Sequence, residues 1–354
     1  MTTSLEKGPG DRVDAPGDGA VTATARGPQT DAPRRIAAAL GRFAERYSLL
    51  LLTGGVIVFF STYGPTSDTF LTRQNFEVTV ANQAVLAIIA LGLLVPLICG
   101  EFDLSVAAVA GLSAVFVAAA LSSGVAIPVA ILIGLAIGAA IGLVNAFLVA
   151  RLRLDAVIAT LGTATVVGGI VIHKTGGKSI VSNIPRSFTD FGTGTLWVLP
   201  SAAVVLLVVA AVTWFVLEQT AAGRQIYALG SNPVAARLVG IRTQGVMAGT
   251  FVLAGLLSGL AGALYVARSG GADPRSGANF LLPAFAAAFL SAATVKPGKY
   301  NVGGLIIAVF FLAALNSGLN LAGAAPYVND YVNGGALIAG VALAAVLHRR
   351  RMRG

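Results

Sequence analysis

Apolar segments long enough to cross a membrane recur along most of this 354-residue chain. A helix needs about 20 largely apolar residues to span a hydrocarbon core about 30 Å thick. Windows of that length with few charges predict ten membrane helices, with boundaries uncertain by about two to four residues. The predicted spans are 47–64, 77–98, 104–121, 125–150, 156–173, 195–217, 246–267, 280–294, 303–321 and 327–347. The predicted fold is therefore an all-α, polytopic membrane helix bundle.

The two ends of the chain differ from this apolar middle. Residues 1–46 are rich in Gly, Pro, Asp, Thr and Arg and contain no long apolar stretch, so they are expected to form a disordered tail. The first apolar run is too long for a cleaved signal peptide and should remain as an anchor. We expect a cytoplasmic N-terminal tail over 1–46, a transmembrane domain over 47–347 and a basic cytoplasmic tail over 348–354.

The basic residues sit mostly between the predicted spans and at the two ends. The net charge of +9 could suggest a nucleic-acid partner, but this placement is typical of topology signals, so no nucleic acid is expected. Both termini are predicted to face the cytosol, and the chain is predicted to be a multi-pass protein of the cytoplasmic (inner) membrane, with lipid around it. The segments predicted to be cytoplasmic hold Arg34, Arg35, Arg42, Arg46, Arg151, Arg153, Arg224, Arg237, Arg242, Lys296, Lys299, Arg349, Arg350, Arg351 and Arg353; the outer segments hold Arg73, Lys174, Lys178, Arg186, Arg268 and Arg275.

Small residues repeat every four positions in two of the predicted spans. Gly134, Gly138 and Gly142 lie in the fourth span, and Gly255 and Gly259 lie in the seventh. This spacing lets helix backbones approach closely, which favours helix packing over a solute path.

The spans offer almost none of the groups that catalysis in a membrane requires. No nucleophile with a base, paired carboxylates or metal cluster is recognisable, and Cys99 is the only cysteine. Gly177 and Lys178 resemble part of a phosphate-binding loop, but Ile172 stands where that motif requires its first glycine. We therefore expect no enzyme activity, no metal and no cofactor bound by this chain, and an energy source outside it.

Transporters driven by ions usually carry ionisable groups buried in mid-span, and only Glu101 and Asp103 approach that description. Asp103 could cap the third predicted helix through its free N–H groups, or it could take part directly in transport, and both interpretations remain open.

Other polar residues in the spans are costly in hydrocarbon and should face protein or a water-filled cavity. Each of them could contact a solute or only bond helix to helix. The full set of candidate pathway residues is Asn82, Gln83, Glu101, Asp103, Asn145, Thr160, Thr163, Asn316 and Asn320.

One polar, helix-prone segment, residues 218–245, lies between two strongly apolar spans. Asn232 can cap a short helix that Pro233 opens, and Ala235, Ala236, Leu238 and Val239 would give that helix an apolar face. Such a helix could receive a cytosolic partner, or it could rest on the membrane surface.

This segment resembles the cytoplasmic coupling segment of permease subunits in ribose-type ABC sugar importers. The similarity is carried by Gly223–Ile241, and three further stretches are similar to that family in the same order. Gly100–Val106 resembles its Gly-Gly-Ile-Asp-Leu-Ser-Val signature, with Glu101 and Phe102 in place of Gly and Ile. Ile158–Thr163 resembles the start of its fifth span, and Leu315–Leu321 resembles its ninth.

The resemblance implies a permease without an ATPase site of its own that moves a monosaccharide or similar small polar solute. ATP and Mg would bind to a separate ABC ATP-binding subunit, a periplasmic or lipid-anchored sugar-binding protein would deliver the solute, and a second permease copy or a paralogue would complete the pore. The coupling residues that it implies are Gly223, Arg224, Ala228, Leu229, Gly230, Asn232, Ala235, Ala236, Gly240 and Ile241. The alternatives are a stand-alone secondary carrier and, from a third class, a membrane enzyme or scaffold.

Overall fold

The computed structural model describes the backbone of residues 32–353 and the side chains of residues 47–344. The bundle lies in the unit formed by residues 42–354. Its helices, in chain order, are α1 (Ala32–Thr62), α2 (Ser67–Phe70), α3 (Arg73–Ile98), α4 (Val106–Ser122), α5 (Ile127–Ala146), α6 (Ala156–Thr175), α7 (Arg186–Thr193), α8 (Ser201–Gln219), α9 (Ala221–Ser231), α10 (Pro233–Leu238), α11 (Thr243–Ser269), α12 (Leu281–Leu290), α13 (Val302–Leu321) and α14 (Tyr327–Arg353).

Short irregular turns lengthen two of these helices. A π-helical turn, Phe147–Arg151, continues α5, and 3₁₀ turns, Ala278–Phe280 and Ser291–Ala293, flank α12. The described strands, β1 (Thr195–Leu196) and β2 (Leu199–Pro200), pair antiparallel. The predicted all-α class is therefore confirmed.

Within the part of the chain that the structure describes, six helices are long and apolar enough to cross a membrane: α3, α5 with its π turn, α6, α8, α11 and α13. Three shorter apolar helices, 47–62, 106–122 and 278–293, correspond to the first, third and eighth predicted spans. The sixth predicted span began too early, because residues 195–200 form the β1–β2 hairpin and α8 starts at Ser201. Thr, Leu, Trp and Val favour extended structure, and Pro200 opens the helix without needing an N–H donor.

The predicted tails differ from the structure where residues are described. Residues 1–31 of the expected disordered tail lie outside the described residues, but 32–46 already belong to α1. This part is rich in Ala, Arg, Leu and Glu, which are strong helix formers. At the other end, residues 348–353 continue α14 rather than leaving the helix.

The helices alternate in direction and define two ends of the bundle. We call the end at which α9 and α10 lie the α10 end, and the other the opposite end. The α10 end also holds the C-termini of α3 and α8 and the N-termini of α11 and α13. Among the basic residues whose side chains are described, those predicted to be cytoplasmic lie at the α10 end, and those predicted to be outer lie at the opposite end.

Helix α3 runs through the centre of the bundle. Its residues from Ala84 to Ile98 are all buried, and it packs against α8, α11, α12 and α13. A helix that is apolar all round needs an apolar environment on every face, from lipid or from neighbouring helices. The shell of helices around α3 supplies that environment.

Helices α5 and α11 meet along their glycines, as the sequence predicted. A Cβ at Gly138 would overlap the carbonyl oxygen of Gly255, and one at Gly259 would overlap that of Gly134. Close backbone approach gives dispersion contacts where lipid provides no hydrophobic drive for association. The glycine repeats are therefore confirmed as packing positions.

Candidate functional site

Helices α9 and α10 form the segment that the sequence predicts to be a coupling segment, and polar caps fix its ends. Thr220 accepts a hydrogen bond from Gly223 N (3.3 Å), and Asn232 Oδ1 accepts from Val234 N and Ala235 N (both 3.0 Å). The predicted Asn232 cap, with Pro233 at the first helical position, is confirmed.

Gly240 ends α10 in the left-handed conformation, with φ of +84°. Gly240 N donates to Arg237 O, and Ile241 N donates to Ala236 O (both 3.0 Å). This is the Schellman arrangement, in which a glycine with positive φ satisfies the last helix carbonyls. Both ends of α10 are therefore held by sequence-specific bonds.

Several of the predicted coupling residues face the bundle rather than its surroundings. Leu229 and Ala236 are buried, Gly223 packs on the carbonyl oxygen of Leu217, and a Cβ at Gly230 would overlap that of Ile98. Gly223 packs against α8 and Gly230 against α3, whereas buried Ala236 belongs to α10, which contacts α9 and α11. The others are more open: Arg224, Asn232, Ala235 and Gly240 are exposed, and Ala228 and Ile241 are half-buried.

The expected apolar face of α10 is divided in the structure. Ala236 points into the bundle, whereas Leu238 is 84% exposed and Val239 is 77% exposed. Val234 is also exposed. With 3.6 residues per turn, Ala236 lies on roughly the opposite side of the helix from Val234 and Leu238, each two positions away. The helix therefore presents apolar side chains outward.

A cleft of about 310 Å³ separates α10 from the turns that end α3 and α5. Glu101, Arg153 and Arg237 line it with apolar residues between them. Burial, and secondarily the charge of Asp155, raises the pKa of the Glu101 carboxyl.

Three of the predicted pathway residues meet around the turn that joins α3 to α4. Asp103 is 2% exposed, and its Oδ1 accepts from Ser105 N (2.9 Å) and Ser105 Oγ (2.6 Å). Asn145 Nδ2 donates to Ser105 Oγ (2.7 Å), and Thr160 Oγ1 accepts from Leu104 N (3.0 Å). Of the two interpretations of Asp103 that the sequence left open, capping of α4 is wrong, because the carboxylate bonds to Ser105, which precedes the first residue of α4. These bonds tie α4, α5 and α6 together.

Thr163 lies apart from this cluster. Its Oγ1 donates to Ala159 O (3.0 Å) within α6.

The remaining predicted pathway residues lie in the half of the bundle nearer the opposite end. Asn82 Oδ1 accepts from Arg268 (2.6 Å), Asn316 Nδ2 donates to Asn333 Oδ1 (3.4 Å), and Asn329 donates to Asn320 Oδ1 (2.9 Å). The set predicted as one pathway thus falls into two groups. Asn82, Gln83 and Asn316 line a common cavity, while Asn320 lies beside it.

Sequence reasoning missed the amides that complete this cavity, Asn279, Asn329 and Asn333. Asn329 and Asn333 are four residues apart in α14, so a shared helix face was a signal that could have found them. It also missed the bond from Tyr227 Oη to Tyr300 O (2.9 Å), which joins α9 to the turn before α13. Nothing in the sequence indicated that bond.

The described helices form an apolar bundle with a capped surface helix at one end and a polar cavity toward the other. Residues 77–341 match the family described as "Branched-chain amino acid transport system / permease component", and the chain belongs to this family. It is a multi-pass membrane protein and a transport subunit. No solved structure matches the chain at a significant level.

Curated relatives cover most of the chain. It is 34% identical to the ribose import permease protein RbsC of Bacillus subtilis, over 78% of this chain and 86% of that protein. It is 32% identical to RbsC of Haemophilus influenzae, over 80% and 87%. It is 29% identical to the autoinducer 2 import system permease protein LsrD of Escherichia coli, over 86% and 94%. These similarities confirm the predicted permease resemblance and favour it over a stand-alone carrier.

Proposed function

We propose that this chain is the permease subunit of an ATP-driven importer that moves a monosaccharide or similar small polar solute across the cytoplasmic membrane. ATP and Mg bind to a separate ABC ATP-binding subunit, and a periplasmic or lipid-anchored sugar-binding protein delivers the solute. A second copy of the permease, or a paralogue, completes the pore. The names of the ribose and autoinducer 2 permeases support this class of solute.

The observation that carries the proposal is the form of α10. Its ends are fixed by Asn232 and Gly240, and Leu238 and Val239 stand exposed between anchored neighbours. A partner that grips exposed apolar side chains on a rigidly held helix can transmit its own movement to the bundle. Helix α10 is therefore the proposed contact with the ATP-binding subunit.

The movement has a short route from α10 into the bundle. Buried Leu229 and close-packed Gly230 join α9 to α3, and the Tyr227–Tyr300 bond joins α9 to the turn before α13. An exposed ion pair between Glu218 and Lys296 lies on the same side. We propose that closure of the ATP-binding subunits shifts α9 and, through it, α3 and α13.

The proposed orientation places the α10 end in the cytosol. The clustering of Arg151, Arg153, Arg224, Arg237 and Arg242 at this end supports it, because short cytoplasmic loops are enriched in Lys and Arg. With α1 entering from the same side, both termini are cytoplasmic.

The test compares one substitution at two exposed valines. Val239 is 77% exposed on α10, and Val198 is 74% exposed in the β1–β2 hairpin at the opposite end. Val239→Glu should weaken binding of the ATP-binding subunit about 30-fold, as expected for about 2 kcal/mol at a contact centre. Val198→Glu should leave that binding unchanged.

The measurement is the affinity of the purified ATP-binding subunit for each permease variant in nanodiscs. Equal affinities for the two variants and for the unchanged chain would place the contact on another part of the surface.

A further inference from the structure

The cavity toward the opposite end is lined by six side-chain amides. It has a volume of about 270 Å³, at the small end of the range for ligand pockets. We call it the amide pocket. Its amides come from α3, the turn before α12, α13 and α14: Asn82, Gln83, Asn279, Asn316, Asn329 and Asn333.

Three amide oxygens of this pocket are buried and lack a hydrogen-bond partner among the described residues. They are Gln83 Oε1, Asn316 Oδ1 and Asn329 Oδ1. A buried acceptor without a donor costs free energy, so acceptors grouped in one cavity indicate a ligand or water that supplies donors. The three oxygens come from three different helices.

The rest of the wall is apolar and uncharged. Phe280, Pro283, Leu86 and Leu312 line it between the amides, and no charged side chain of the described residues does so. Arg268 lies behind Asn82, where it donates to Asn82 Oδ1 and Gly192 O.

We infer that the amide pocket binds a neutral polyhydroxylated solute, such as a monosaccharide, through hydroxyl donors to Gln83, Asn316 and Asn329. A hydroxyl both donates and accepts hydrogen bonds, and a side-chain amide can pair with it either way because it carries a carbonyl oxygen and an NH₂ group. The apolar wall can face the C–H surface of the solute.

The uncharged lining of the pocket distinguishes between two solute classes: the branched-chain amino acids of the family description and the sugar in the names of the ribose permeases. A branched-chain amino acid carries an ammonium and a carboxylate, and either charge would be poorly paired in an uncharged cavity. The pocket therefore favours the polyol over the amino acid. The inference rests on the importer function proposed above and assigns the solute of that importer to the amide pocket.

The test uses the full chain in nanodiscs with ribose, a set of other neutral pentoses and hexoses, and leucine as probes. Binding is measured by saturation-transfer NMR and by the rise in Tm on adding each probe. At least one neutral sugar should bind and raise Tm, and leucine should do neither.

Two substitutions in the same helix locate the binding. Gln83→Leu should lower sugar affinity about tenfold, whereas Gln74→Leu, at an exposed position in the first turn of α3, should not. Without sugar, Gln83→Leu should keep or raise Tm, because it removes a buried acceptor that lacks a partner. A purely structural glutamine would give the reverse, a lower Tm.

Binding of leucine in preference to every sugar, or absence of sugar binding, would overturn the inference. Equal sugar affinity in Gln83→Leu and the unchanged chain would also overturn it. Each result is independent of the affinity for the ATP-binding subunit, so a failure here is distinguishable from a failure of the proposed function.

Discussion

Helix α10 and the amide pocket use polar residues in opposite ways. At the α10 end, the side-chain oxygen of Asn232 accepts hydrogen bonds from two backbone N–H groups, and the turn at Gly240 satisfies the final carbonyls of α10. In the amide pocket, the oxygens of Gln83 and Asn316 have no partner among the described residues. Satisfied polar groups hold a structure in place, whereas unsatisfied ones provide binding capacity. We therefore propose that α10 transmits the movement of its partner and that the amide pocket recognises a solute.

The largest expected effect comes from the anchor at the α10 end. Gly230→Ala would push a Cβ into the carbonyl oxygen of Ile98, whereas Gly249→Ala, in α11 at the same end, meets nothing within 4 Å. Overpacking costs about 1–3 kcal/mol, and each 1.4 kcal/mol is tenfold. ATP-driven uptake should therefore fall about tenfold or more in Gly230→Ala at equal membrane content, and should be unchanged in Gly249→Ala. Unchanged uptake in both would show that α9 need not lie against α3.

A smaller effect is expected from substitutions at Asn232 and Asn316, where the change to Asp should act in opposite directions. Asn232→Ala should weaken binding of the ATP-binding subunit about fivefold, because losing a helix cap costs about 1 kcal/mol. Asn232→Asp should restore it, since aspartate caps equally well and its charge is favoured at a helix N-terminus. Asn316→Asp should instead weaken sugar binding, because it half-buries a charge and removes the donor to Asn333.

Calorimetric titration of the ATP-binding subunit and of the sugar measures the two effects separately. If Asn232→Asp behaved like Asn232→Ala, the side chain would act by something other than capping.

The smallest effect concerns pH at the cleft beside α10. Burial holds the pKa of Glu101 above its ordinary value of 4.5, so the folded state disfavours the charged carboxylate. The stability contributed by this group is complete below the ordinary pKa and is lost as pH rises through the raised value. Glu101→Gln cannot titrate and should gain Tm relative to the unchanged chain as pH rises, by on the order of 1 °C. If the Tm of Glu101→Gln and that of the unchanged chain varied with pH in parallel, burial of the Glu101 carboxylate would not lower stability.

Much of the fold could be predicted from the sequence because membrane helices follow from local composition. The apolar runs predicted the helices, and Asn232-Pro233 predicted the start of α10, since a cap involves only neighbouring residues. The glycine repeats predicted close helix packing, although the sequence could not say that α5 and α11 are partners.

What the sequence could not provide depends on contacts between distant segments. Capping of α4 by Asp103 was one of two interpretations that the sequence left open, but the carboxylate bonds to Ser105 in a turn that Asn145 and Thr160 also hold. Gly230 was predicted to take part in coupling, but its close approach to the carbonyl oxygen of Ile98 could not be predicted. The convergence of six amides on one cavity depends on the relative placement of four elements, which no local pattern encodes.

The most direct measurement of the central claim is solute accumulation in proteoliposomes with and without the ATP-binding subunit. With the solute-binding protein supplied, we predict that accumulation requires the ATP-binding subunit and ATP, and that an ion gradient alone produces none. Accumulation against a gradient by vesicles that contain only this chain would contradict the account.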